Sequence, residues 1–176
     1  MDGYTDRKFA KMVLQLLGHI ELPPNRSKGE FDHADIHQGT DRLYVAHTSN
    51  DAVDVIDTAQ DRYIESISGF TGVAGALVSE PRGLVFMSNR GENTVSVFAP
   101  DAERKGFKIP VGVKPNGLAF DPARGILIAA NVGDPSISDS HTVSIVDLAR
   151  RERIAEVKVP GPRVGRFTTK RASCFS

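Results

Sequence analysis

The tetrapeptide Asp32-His33-Ala34-Asp35 flanks one imidazole with two carboxylates, a trio that can orient a histidine as a base or as a metal ligand. Further donors recur along the chain: His37, His47, Asn89, Arg90, Glu92, Asn116, Asn131 and Asp134. A hard cation accepts carboxylates and amide oxygens, whereas zinc prefers His33 with His47 or Asp35. The candidate ligand-binding residues are Asp32, His33, Asp35, His47, Asn89, Arg90, Asn116 and Asn131. None is assigned as catalytic. A plainer reading stands beside this one: the acidic tetrapeptide also suits a solvated loop, and Asp57, Asp147 and Asn116 suit turns. Other chemistries lack their motifs. No glycine-rich phosphate loop joins a strand to a helix, and no Gly-x-Ser-x-Gly nucleophile elbow is present. No basic-aromatic stripe points to single-stranded nucleic acid.

The elements that must position these side chains come in a repeat. Segments 32–57, 74–99 and 116–147 align, and the polar residue ending the second strand of each is His47, Asn89 or Asn131, spaced 42 residues apart in both steps. That period falls in the roughly 40–45 residue range of four-stranded, WD40-like propeller blades. Val53 and Val55 correspond to Val95 and Val97, again 42 residues on, but Val143 and Ile145 come 48 later. Six additional residues therefore sit within "GDPSISDSH", between two strands whose flanks stay in register.

Each unit reads as four short strands with period-two alternation. In the second unit these are Ala76–Val78, Gly83–Ser88, Thr94–Phe98 and Phe107–Pro110. "GTDR", "EPRG" and "PARG" supply the tight turns. An ordinary antiparallel sandwich also has regular short strands; the shared spacing of whole units favours blades over it. Because His47, Asn89 and Asn131 hold one repeat position, their plain role is to satisfy backbone groups in a tight loop.

"LYVAHTSNDAVDVID", "LVFMSNRGENTVSVFA" and "PNGLAFDPARGILIAAN" resemble the YVTN-type β-propeller repeats of YncE-like proteins, over about residues 18–163. The resemblance implies an all-β partial β-propeller of about three four-stranded blades, near 32–70, 74–113 and 115–161. "GHIELP" (18–23) resembles a fourth strand that closes a ring by joining the last blade. Propellers host binding, scaffolding and enzymatic roles alike, so the fold does not name an activity. "PNGLAFDP" also resembles a stretch of gluconolactonase-like propellers in which the Asn binds a metal. Carried over, that puts Asn116 on a divalent metal ion, the candidate cofactor, polarising a lactone carbonyl; His33 and Asp35, from the donor chemistry of the acidic tetrapeptide, join it in the candidate metal-ligating set.

Composition sets the outer bounds. With 176 residues, 40% of them apolar, 25% charged and a formal net charge of zero, the chain suits one globular domain. It has no basic block for nucleic acid or an anionic membrane. One cysteine, Cys174, excludes an internal disulfide and a multi-cysteine metal site. The apolar run from Met12 to Leu17 is too short to span a bilayer and lacks a cleavage site behind it, so a cytoplasmic location is expected. Residues 1–17 form an N-terminal extension: either Met12 is the natural start, or "DRKFAKMVLQLL" is a short amphipathic helix.

The tail 164–176 breaks the repeat. One synonymous coding of Val164 onward, read from its third base, spells WAVYDKARELLF, which matches "LAFDPARGILI" column for column. A truncated or frameshifted gene is the expectation, with an irregular tail as the alternative. Complete propellers have roughly four to eight blades. Three blades leave edges exposed, which invites self-association.

In a propeller the loop entering each first strand and the loop between second and third strands share one face, and rigidly held loops are where sites form. The insertion enlarges that wall. The leading expectation is a non-catalytic ligand-binding or protein-interaction module, with a small molecule or protein at the loop face. The alternative is a metal-dependent, lactonase-like hydrolase or an inactive fragment of one.

Overall fold

The computed structural model describes residues 14–100 and 106–160. Its twelve described strands form three four-stranded antiparallel sheets, each a simple meander. The first comprises β1 (Phe31–His37), β2 (Arg42–His47), β3 (Ala52–Asp57) and β4 (Arg62–Ser68). The second comprises β5 (Val73–Ser79), β6 (Leu84–Asn89), β7 (Thr94–Phe98) and β8 (Phe107–Pro110). The third comprises β9 (Pro115–Asp121), β10 (Ile126–Asn131), β11 (Thr142–Asp147) and β12 (Glu152–Lys158). The first strand of each sheet packs against its counterpart in the next, β1 on β5 and β5 on β9, so the chain is a partial β-propeller of three blades. β7 and β8 fall on the residues that the alternation predicts; β5 is longer at both ends.

The hairpins turn the same way in every blade because the same position takes a left-handed backbone. Asp41, Gly83 and Gly125, each 42 residues from the last, have φ of 52°, 56° and 69°. That region is disfavoured for residues with a Cβ, and Gly and Asp tolerate it best.

Burial then follows the blade order. Tyr44, Ala46, Val53, Val55 and Ile67 of blade 1 meet Val85, Met87 and Phe98 of blade 2 in one core. Phe86, Val95, Val97 and Ile109 of blade 2 meet Leu127, Ala129 and Val146 of blade 3 in a second. Blade 2 is therefore buried on both faces, and Val85 to Asn89 shows no exposed residue.

Residues 18–23 carry no strand, which corrects the expectation of a closing strand there. Each sheet already has its own fourth strand, so no third strand offers "GHIELP" an open ladder edge. Instead the following residues form a strap over the outer face of blade 1. Arg26 donates its N–H to Asn50 Oδ1 (2.8 Å), Asn50 Nδ2 donates to Pro24 O (3.1 Å), and Ser27 Oγ donates to Ser49 O (2.7 Å). Of the stretch read as an amphipathic helix, only 14–17 is described; it is not helical, and Leu14, Leu16 and Leu17 are exposed. The start at Met12 and the tail 164–176 lie outside the described residues. Among the described residues no helix is long and apolar enough to cross a membrane.

Candidate functional site

The three turns between second and third strands and the segments entering β1, β5 and β9 lie at one end of the propeller. Repeat chemistry knits them. Asp51 and Asn93, 42 residues apart, have φ of 50° and 56°. Their side chains accept the N–H of Gly72 (2.6 Å) and Lys114 (2.8 Å), each in the segment entering the next blade. These inter-blade clips escaped the sequence reading, although their shared spacing and Asx identity were the available signal.

Asp32, His33 and Arg90 come together. Asp32 Oδ1 lies 2.6 Å from His33 Nδ1, and Oδ2 lies 3.3 Å from Arg90 Nη2, across the junction of blades 1 and 2. His33 is 54% exposed, and Asp32 and Arg90 are about a third exposed or less (27% and 34%). Arg90 Nε is buried without a hydrogen-bond partner among the described residues. Asp35 is turned away from this group. Its Oδ1 accepts from Ile36 N (2.8 Å) and its Oδ2 from Val78 N (2.7 Å), so it fastens β1 to β5. His37 is carried by β1 to the opposite end, where Nδ1 meets Thr40 Oγ1 (3.0 Å) and Nε2 lies 3.6 Å from Glu80.

The shared repeat position is buried in all three blades. Asn89 Nδ2 donates to Thr94 Oγ1 (2.9 Å) and Ser96 Oγ (2.8 Å). Asn131 Nδ2 donates to Thr142 Oγ1 (2.8 Å) and Ser144 Oγ (2.9 Å). Blade 1 replaces this Asn–Ser pair by His47 and Asp54, both fully buried, with Nδ1 2.8 Å from Asp54 Oδ2. His47 Nε2 lies 2.8 Å from Asn25 Oδ1 of the strap, and Phe31 packs on the ring at 4.2 Å between centroids. Ser66 Oγ donates to the other oxygen of Asp54. These side chains bond mostly to one another, and not chiefly to loop backbone as the plain reading expects.

Asn116 stands where β5 and β9 touch. Its backbone carbonyl accepts from Ser88 Oγ (2.8 Å), while its Oδ1 is buried without a hydrogen-bond partner among the described residues. The inserted segment is fastened to the same end. Asp134 accepts from Lys114 Nζ (2.6 Å) and from Ser136 Oγ (2.6 Å) and N (2.9 Å), and those bonds, Lys114 first, hold its carboxyl far below the ordinary 3.8. Glu92 is likewise held by Lys108 Nζ at 2.6 Å.

Among the described residues no group of three or more His, Cys, Asp or Glu side chains is placed to hold a metal ion. Of the set Asn116, His33 and Asp35, Asn116 offers an oxygen without a partner, His33 Nδ1 is held by Asp32, and both oxygens of Asp35 are occupied by backbone N–H groups. The donors present therefore do not fit a divalent ion as that set requires.

No protein-family model matches the chain, and a search of curated proteins returns no match. Among solved structures, the chain is similar to the hydrazine synthase of Kuenenia stuttgartiensis, with a TM-score of 0.60 and 18% sequence identity. The likeness covers 70% of this chain and 34% of that one, so the chain spans about a third of the length of that protein. At that identity the likeness concerns the fold alone.

Proposed function

We propose that the chain acts as a non-catalytic ligand-binding or protein-interaction module of the YVTN, YncE-like kind, contacting its partner through the loop end. One observation carries this reading. The side chains there that could do acid-base or metal chemistry are mostly tied to neighbours, while Asp32, His33 and Arg90 form a part-exposed cluster bridging two blades. A cation, an imidazole and a carboxylate side by side suit recognition of a polar partner that both donates and accepts hydrogen bonds. The test is a thermal-shift screen of small hydroxy acids and short peptides against the full chain. Binders should lose affinity in Asp32→Asn and Arg90→Gln; binders indifferent to both substitutions would sink the reading.

A second reading, the lactonase-like hydrolase, is favoured only by the unpartnered Oδ1 of Asn116, and it requires further metal donors in place of the engaged His33 and Asp35. Stoichiometric divalent-metal binding abolished by Asn116→Ala would support it over the module. The open face of blade 3 adds a proposal of self-association with a second copy, since the equivalent faces of blades 1 and 2 are each covered by a further blade. Light scattering should then show a mass above the monomer that Ile145→Lys reduces; an unchanged mass would reject it.

A further inference from the structure

Three guanidinium groups converge at the end of the propeller opposite the loops discussed above. Arg82 ends the single 3-10 turn between β5 and β6, Arg124 lies in the turn between β9 and β10, and Arg151 lies in the turn between β11 and β12. They border a cavity of about 370 Å³ at the junction of blades 2 and 3, floored by Leu84, Val97, Phe107 and Leu148. That volume falls within the roughly 300–1,000 Å³ of small-molecule sites, which pair apolar walls with a few placed polar groups.

The repeat explains why the space is open here. Leu84 stands 42 residues after Arg42, and Leu148 stands 48 after Pro100, the same offset as Ile145 from Val97. At the junction of blades 1 and 2 the long Arg42 side chain crosses the groove and donates Nη1 to the Pro100 carbonyl. At the next junction two leucines take those places and line an apolar floor.

The cations are unequally matched. Arg124 is paired with Asp121 at 2.7 Å. Arg82 donates Nε to the Pro122 carbonyl (2.7 Å), and Arg151 lies over the Phe107 ring, 4.1 Å from its centroid. Neither forms an ion pair with a carboxylate among the described residues, and Glu80, beside Arg82 in sequence, is directed to the N–H of Gln38 and to His37. A carbonyl and an aromatic face hold a guanidinium in place without neutralising it, and its planar donor fork matches a carboxylate or phosphate.

We propose that this groove binds a small amphipathic organic anion. Its carboxylate or phosphate is met by Arg82 and Arg151, and its apolar body lies on Leu84, Phe107 and Leu148. The site is at the far end of the molecule from the Asp32–Arg90 cluster, so it stands or falls independently of the loop-end reading.

The experiment titrates the full chain with 2-naphthoate and, as a neutral isostere, 2-naphthalenemethanol, followed by amide NMR shifts and calorimetry. Naphthoate should bind one to one and shift the amides of residues 82–84, 124–125 and 148–151. The alcohol should bind about tenfold more weakly, the difference expected for a lost charge-assisted contact. Arg82→Gln and Arg151→Gln should each weaken naphthoate several-fold and leave the alcohol unchanged; both sit in exposed turns, and a preserved amide spectrum would report the fold. Arg150→Gln, outside the cavity, should change nothing. Equal affinity for acid and alcohol would overturn the proposal, as would shifts confined to the open face of blade 3.

Discussion

The two ends of this three-bladed arc meet solvent in opposite ways. Among the described residues no blade lies beyond the outer face of blade 1, yet Val45, Asp54 and Ile56 are buried, and the strap from Pro24 to Gly29 bonds across its loop end. The outer face of blade 3 has no such cover among the described residues. Ile128 is 41% exposed and Ala130 is exposed, whereas Phe86 and Ser88, one repeat earlier, are both fully buried. Residue type does not explain the contrast, since the outward alternation of Val143 and Ile145 repeats that of Val95 and Val97. What differs is the neighbour. Blade 1 exchanges the Asn–Ser pair of its siblings for a His–Asp pair whose second ring nitrogen reaches the strap, so the substitution and the cover belong together.

The largest effect should come from breaking that substitution. His47→Ala leaves the fully buried Asp54 carboxylate without its ring partner, and removing one member of a buried pair costs about 3–5 kcal/mol. Chemical denaturation should show that loss. The double variant His47→Asn with Asp54→Ser, which writes the solution of blades 2 and 3 into blade 1, should recover much of it through a strong coupling between the two sites. Additive losses would mean that the pair is not a unit and that the strap is held by other contacts.

Two pairs of substitutions at shared repeat positions sharpen the comparison. A Cβ on Gly75 would lie 2.0 Å from the Asn116 carbonyl oxygen and 2.8 Å from Ser88 Oγ, whereas one on Gly117, 42 residues later, meets only Ala130 Cβ at 3.9 Å. Gly75→Ala should cost about 3 kcal/mol as an overpacked junction, and Gly117→Ala should be close to neutral. Val95→Ala should cost about 2 kcal/mol through lost burial and a residual cavity, and Val143→Ala about 0.5 kcal/mol or less. If Val143→Ala proved as costly as Val95→Ala, the open face of blade 3 would be covered in solution.

How far the sequence carried this reading depends on what each signal encodes. The three blades and the strands β7 and β8 were legible because alternation and a 42-residue period are properties of the chain itself. The position shared by His47, Asn89 and Asn131 was legible as one position, but its partners Asp54, Ser96 and Ser144 were not sought, although they lie seven, seven and thirteen residues on. The closing strand was misread because an extended apolar hexapeptide looks the same whether or not a ladder edge is free to take it. Asp35 looked like half of a carboxylate pair around His33; its attachment to Val78 N depends on how β1 leans on β5, which spacing within one segment does not reveal.

The smallest expected effect lies in the inserted segment, and it separates a buried hydrogen-bonded pair from an exposed ion pair. Asp134 is held by a cation and a hydroxyl where Asp54 is held by an imidazole and a hydroxyl, but Lys114 and Asp134 are part-exposed (42% and 27%), so solvent screens their attraction. Lys114 and Ser136 lower the Asp134 carboxyl below its ordinary 3.8. A depressed carboxylate contributes stability that is fully present above its unfolded value and is lost as pH falls through the lower folded value. Carbon-13 NMR titration of the Asp134 carboxyl should therefore find it ionised at pH 3.8, where an unpaired aspartate is half protonated, and Lys114→Gln should move the midpoint back towards 3.8. The melting temperature of that variant at pH 7 should barely change, in contrast to His47→Ala. A large drop would mean that the insertion, and not the strap, is what closes the loop end of the arc.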